Sequence, residues 1–238
     1  MATLVLVHGG SHGGWCWQPL ARLLRRAGHE VHAPTLTGLA DRAHLLSPDV
    51  DLETHVEDVV NLLHYEDLHE VILVGHSYGG MVITGVADRA LSRIGHIVYL
   101  DSAHPRDGEA LVDTAPGFME GARATLHSVD GTEVVLGATP EFVAMMGVTD
   151  PAQVAWMMQR LTPHPWRCMT QPLRLVNEAA IRRIPFTNIN ATWSLERREA
   201  ESKARCLEGE RVWNIDSGHD LMLTETQLLA ELLLRLAD

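Results

Sequence analysis

Cysteine is scarce and odd in number: Cys16, Cys168 and Cys206 lie far apart, which excludes a disulfide framework and suggests free thiols. Basic residues are outnumbered, with 19 Lys+Arg against 31 Asp+Glu and a formal charge of −12. That balance argues against a nucleic-acid or anionic-membrane partner and favours solubility. No apolar run is long enough for a transmembrane span, and the N-terminus lacks the basic and apolar regions of a signal peptide. A cytoplasmic location is therefore the expectation. Metal-ligand spacings are missing too, despite 14 histidines. His8 and His12 are four apart, but the glycines between and after them exclude a zinc-binding helix, so neither metal nor cofactor is expected. Repeats and low-complexity tracts are absent.

What is present is a chain of 238 residues, 46% hydrophobic, enough to bury a substantial core as one α/β domain with an insertion. Short β-rich runs alternate with helix-like segments, which implies a mostly parallel sheet with helices on both faces. The strands read as Leu4–Val7, Glu30–Ala33, Val71–Val74, His96–Leu100, Pro185–Ile189 and Arg211–Ile215. Helices are expected over Trp17–Ala27 (stopped by Gly28), over Leu52–His64 with Asp51 as N-cap, and over Gln227–Leu236. Residues 106–182 break this rhythm and divide the domain into a core, 1–105 and 183–238, and an inserted helical cap. Two helix starts are legible in the cap, each a capping residue followed by proline: Thr139-Pro140 and Asp150-Pro151. Its soft and aromatic side chains suit an apolar, adaptable pocket. Ser11, His104, Met145, Trp156 and Met157 are the expected lining.

The most informative stretch is Gly75-His76-Ser77-Tyr78-Gly79, directly after the apolar run Val71–Val74. A strand running into Gly-x-Ser-x-Gly and then a helix is the setting of a nucleophile elbow. Ser77 would stand exposed on a sharp turn at a helix N-terminus, where backbone N–H groups stabilise an anion. Serine needs a base to take its proton. His219, in a loop after the last strand and before the terminal helix, has the chain order required. The acid that should orient it is less plainly marked. Asp101 closes an apolar strand at the sheet edge where ligands gather, and Glu196 is the alternative. For an oxyanion hole, two backbone donors must converge. Tyr78, after the nucleophile, offers one, and Gly10, in the glycine-rich loop after the first strand, offers the other.

These motifs resemble the α/β-hydrolase superfamily over essentially the whole chain. Leu6–Gly9 followed by Gly13–Trp17 is similar to small bacterial and plant members: carbendazim- and pyrethroid-hydrolysing esterases, plant methylesterases and hydroxynitrile lyases. The resemblance implies an α/β-hydrolase fold and a serine esterase that forms an acyl-enzyme on a small apolar or aromatic ester, with carbamates and amides also in reach. Two departures stand out. Gly9 and Asp220 replace the threonine and lysine on which the lyases rely, and Ser194 stands where many relatives keep the acid. Two other readings stay open: a small-molecule-binding homologue with little chemistry, and a non-hydrolytic, lyase-type enzyme using His219 as base. The expected partner is a small molecule, and a homodimer stays open.

Overall fold

The computed structural model describes residues 1–237. Six parallel strands form the central sheet in the order β2-β1-β3-β4-β8-β9. These are β1 Thr3–Val7, β2 Glu30–His32, β3 Val71–His76, β4 Ile94–Leu100, β8 Phe186–Ala191 and β9 Arg211–Ile215. Most were legible as apolar runs because both faces of the inner strands of a parallel sheet are covered, whereas the edge strands β2 and β9 are partly exposed. The pleat sorts those runs. Val5, Val7, Val71 and Leu73 join one core cluster with the helices α2 (Leu52–Tyr65) and α3 (Gly79–Arg89). Their neighbours Leu4, Leu6, Ile72 and Val74 join the other, with α1 (Gln18–Arg26) and the last helix, Thr226–Ala237. Most of these side chains are wholly buried, and each such burial is worth about 1.5–3 kcal/mol.

The helix boundaries follow local chemistry. Asp51 Oδ1 accepts the Thr54 N–H at 3.0 Å, and the Thr54 hydroxyl faces the Asp51 N–H, a reciprocal cap on α2. Beyond α1 the chain turns at Gly28, whose φ of +92° only glycine adopts without cost. In the insertion the two expected starts are capped, by Thr139 Oγ1 on the Phe142 N–H (3.1 Å) and by Asp150 Oδ1 on the Gln153 N–H (2.8 Å).

The insertion is not wholly helical, as the sequence had suggested. It also holds a small antiparallel sheet of β5 His127–Val129, β6 Thr132–Val135 and β7 His164–Pro165. Strands of two to four residues carry too little alternation to be read from sequence, and β7 contains a proline tolerated at its edge. Among the described residues no helix is long and apolar enough to cross a membrane. The three cysteines are buried and unpaired.

Candidate active site

Both key acidic and hydroxyl side chains sit where a parallel strand ends in a left-handed turn. Ser77 follows β3 with φ +54°, and Asp101 follows β4 with φ +43°. Such backbone costs about 1–2 kcal/mol in a non-glycine residue and persists only where the surroundings impose it. Here they do. The Ser77 N–H donates to the Leu100 carbonyl (3.3 Å), its own carbonyl accepts from Gly80 and Ala103, and the Asp101 N–H donates to the Ile189 carbonyl (2.7 Å). The turn closes only because Gly80 lacks a side chain, for a Cβ there would lie 2.0 Å from the Ala103 carbonyl oxygen.

Asp101 is completely buried and carries three donors. His219 Nδ1 stands 2.6 Å from Oδ2, the Ser194 hydroxyl donates to the same oxygen at 2.5 Å, and an Arg198 guanidinium nitrogen lies 3.3 Å from Oδ1. Burial alone would raise the Asp101 pKa, but His219, Arg198 and Ser194 outweigh it and hold the carboxyl well below the usual carboxylate range. An ionised Asp101 fixes the proton of neutral His219 on Nδ1, leaving Nε2 free to accept one. Ser77, Asp101 and His219 line one cleft of about 280 Å³, with Leu111, Phe118, Met145, Met146 and Trp193 as apolar walls.

A narrower recess continues from Ser77 and His219 to Gly10 and Tyr78. Among the described residues neither the Gly10 nor the Tyr78 N–H is taken up by a backbone acceptor. The Gly9–Gly10 peptide is held from behind. His8 Nε2 accepts the Leu36 N–H (3.0 Å), which leaves the proton on Nδ1 to donate to the Gly9 carbonyl (2.9 Å). With that carbonyl anchored, the Gly10 N–H of the same planar peptide must face the opposite way. Gly9 itself packs on the elbow, since a Cβ there would come within 2.8 Å of Ser77 Cβ.

The structure thus brings Ser77, His219, Asp101, Gly10, Tyr78 and Met145 together, and four expected lining residues fall elsewhere. Ser11 is buried with its hydroxyl unpartnered, and its N–H donates to His164. His104 lies behind β4, its ring 3.7 Å from that of Tyr99 and its Nε2 2.6 Å from Asn188 Oδ1. Trp156 packs edge-on against Trp15 under the Arg160 guanidinium, and Met157, one position along, turns wholly into the core. The helix Pro151–Met158 therefore braces the cap instead of lining the cleft. Glu196 is exposed and absent from the cleft. The sequence reading missed Trp193 and the contacts of Arg198 and Ser194 with Asp101. Their one sequence signal is proximity to the end of β8, where a carboxylate had been sought.

His55, His164 and Cys168 converge behind Tyr78, and their ligand-type atoms lie within 4.8 Å of one another. Both histidine lone pairs are spoken for. His55 Nε2 faces the Thr37 carbonyl, so its Nδ1 accepts from the Tyr78 hydroxyl (2.9 Å), while His164 Nδ1 accepts the Ser11 N–H (3.2 Å). Burial also pushes the Cys168 thiol up. The trio is a set of core hydrogen bonds around the Tyr78 side chain, not an open ligand set.

Residues 4–232 match the family model described as the alpha/beta hydrolase family. The chain belongs to that family. A carbendazim-hydrolysing esterase of Nocardioides is 55% identical over 116 residues, 49% of this chain and 48% of that one. A pyrethroid hydrolase of Sphingobium wenxiniae is 32% identical over 140 residues, 55% of this chain and 46% of that one. The chain spans about half or less of the length of the curated relatives it matches. Among solved structures, an extracellular alpha/beta-hydrolase from a Paenibacillus species superposes with a TM-score of 0.81 at 24% identity. That likeness covers 99% of this chain and 98% of the other, and it establishes the fold.

The buried histidines should make the fold of this alpha/beta hydrolase sensitive to acid. Burial lowers the pKa values of His8, His76 and His104 from 6.5 to about 3, and pushes those of His55, His96 and His164 down as well. Below pH ~6.5 the unfolded chain takes up protons that the folded chain refuses, so stability falls as pH drops from 6.5 towards 3. His12, whose pKa is raised, offsets this only slightly near pH ~6.5, where the unfolded ring is half charged, and further down it is charged in both states and adds no slope. Asp101 and Asp220, both lowered, act only below pH ~4. From pH 6.5 to 5 His8, His76 and His104 together should cost about 5 kcal/mol. Urea titrations followed by circular dichroism should show the midpoint falling by at least about 1 M over that range. A pH-independent midpoint would mean that these rings protonate in place.

Proposed function

We propose that this chain is a serine hydrolase acting on small apolar or aromatic esters through an acyl-enzyme, with carbamates and aryl amides as related substrates. The observation that carries the reading is the 2.6 Å contact of buried Asp101 with His219 Nδ1, in a cleft that also holds Ser77 on its strained turn. Ser77 Oγ attacks the substrate carbonyl carbon while His219 Nε2 takes its proton. Asp101 stabilises the imidazolium that results. The Gly10 and Tyr78 N–H groups receive the tetrahedral oxyanion, and such a donor is worth about 3–4 kcal/mol to the transition state. His219 returns the proton to the leaving group, and water then repeats the cycle to release the acid.

Substrate size follows from the cleft. About 280 Å³ between Phe118, Met145 and Trp193 suits a compact ring or short acyl chain. Activity on a carbamate draws support from the carbendazim-hydrolysing relative, and on an ester from the pyrethroid hydrolase. Both share one tetrahedral intermediate, so the ranking rests on leaving-group fit. A lyase-type use of His219 finds less support, because Asp220 sits where the lyases place a lysine and the elbow leaves no room for a side chain at Gly9.

The test is intact-mass analysis after exposure to a fluorophosphonate. Wild type should gain one adduct with loss of fluoride and Ser77→Ala should gain none, while circular dichroism reports both as folded. An unlabelled, folded wild type would sink the acyl-enzyme mechanism.

A further inference from the structure

Beneath the cleft, two histidines and a carboxylate link the three segments that carry the proposed machinery. His12 belongs to the loop after β1. Its Nδ1 lies 2.8 Å from the Gly10 carbonyl oxygen and its Nε2 3.1 Å from Asp220 Oδ2. Asp220 directly follows His219 and is completely buried, and its N–H donates to the Met146 carbonyl of the cap (3.1 Å). His76, just before Ser77, donates its Nε2–H to the His219 carbonyl (3.0 Å) and stands 3.8 Å from Asp220 Oδ1. Oxyanion loop, elbow and base loop are thus tied to one another by side chains the chemistry does not consume.

The protonation of His12 follows from its partners. A carbonyl oxygen and a carboxylate oxygen only accept, so both ring nitrogens carry protons and the ring is an imidazolium. Burial opposes that charge, but the Asp220 carboxylate and the two hydrogen bonds outweigh it and raise the His12 pKa. In the same way His12 keeps Asp220 ionised in spite of burial. The two side chains are 2% and 0% exposed. A buried ion pair of this kind seldom stabilises a fold more than apolar residues of equal volume would, because the desolvation of both charges offsets their attraction. Its value must lie in what it holds in place.

Two atoms answer that question. The Gly10 carbonyl belongs to the peptide that follows the oxyanion donor, so the His12 Nδ1–H fixes the Gly10 backbone from one side as His8 fixes it from the other. Asp220 is bonded to the residue that bears the base. We infer that the buried His12–Asp220 pair is a positioning device that locks the oxyanion loop to the base loop, and so supports the chemical step rather than substrate binding. The inference rests on the hydrolase reading of Ser77 and His219.

Saturation kinetics of fluorophosphonate labelling, read by intact mass, separate the maximal inactivation rate from the binding constant without any assumed substrate. Asp220→Leu removes the partner of His12 Nε2. The maximal rate should fall about 10–100-fold with the binding constant changed less than twofold, the pattern of a lost transition-state interaction. His12→Leu should lose as much, and the double variant no more than either single, because the two act as one unit. Asp220→Asn should recover most of the rate. Its amide can donate to Nε2 of a neutral His12 whose Nδ1–H still holds Gly10. An unchanged rate in Asp220→Leu, additive losses, a loss confined to the binding constant, or no recovery in Asp220→Asn would each overturn the device. Nitrogen-15 NMR of the His12 ring, with both nitrogens protonated at pH 7 in wild type and one in Asp220→Leu, tests the pair independently. A wild type that resists labelling but shows that signature would fail the hydrolase reading and not the ion pair. A singly protonated His12 in wild type would fail the pair whatever the labelling shows.

Discussion

Replacing Ser77 with glycine should abolish turnover and make the protein more stable at the same time. The hydroxyl is the proposed nucleophile, and nothing else in the cleft replaces it. Loss of a serine nucleophile from a comparable triad costs on the order of 10⁴–10⁶ in kcat, and what remains reflects the oxyanion donors and binding alone. The stability gain comes from the backbone. Ser77 sits at φ +54°, a region in which a side chain clashes with its own carbonyl and glycine does not. Removing the Cβ relieves about 1 kcal/mol, a little reduced by the extra freedom of glycine in the unfolded chain. For a domain of this size that is a rise of about 2–4 °C in Tm. Thermal unfolding by circular dichroism, beside ester and carbamate turnover, reads both effects. A Ser77→Gly protein that is less stable than wild type would mean that the Ser77 side chain, not the sheet and Gly80, holds the turn in shape. A protein that keeps its turnover would remove Ser77 from the reaction.

How far the sequence reached depended on whether a feature was local. The strand–elbow–helix unit was legible because β3, Ser77 and α3 are contiguous, and the glycines that permit the turn stand beside the residue they serve. β9 was read with the bounds Arg211–Ile215 that the structure gives it, because its apolar run ends in turn residues. The cleft lining was not legible. Trp156 and Met157 are neighbours on one helix, yet one packs on Trp15 and the other enters the core. Which face of a cap helix meets the cleft depends on how the cap docks, and composition carries no such information. His104 was drawn to the site by its place after β4, but Asp101 takes the left-handed turn and the chain then carries His104 behind the sheet, against Tyr99 and Asn188. The pairing of His12 with Asp220 spans 208 residues. From sequence Asp220 was visible only as a charge too near His219 to orient it, and its real partner was out of view.

The proposed acid is where the geometry and the family pattern pull apart, and there the second large effect is expected. Ser194 occupies the position at which many relatives carry their acid, and its hydroxyl instead donates to Asp101. Replacing Asp101 with asparagine preserves shape and removes one negative charge. Arg198 can only donate, so the amide oxygen must turn towards its guanidinium and the amide nitrogen towards His219. That nitrogen also donates, which forces His219 Nδ1 to accept and places the ring proton on Nε2, the atom that must receive the proton of Ser77. The proposed base is thus locked in the wrong tautomer, and no carboxylate remains to stabilise its charged form. The corresponding change in a serine protease triad lowers kcat by about 10⁴ with the geometry intact, and a loss of that order is expected here with KM within about twofold. Glu196→Gln should stay within about twofold in both constants, because Glu196 is exposed and outside the cleft. Steady-state kinetics on one activated ester decide between them. A small loss in Asp101→Asn beside a large one in Glu196→Gln would move the acid to the loop after β8, and with it the orientation of His219.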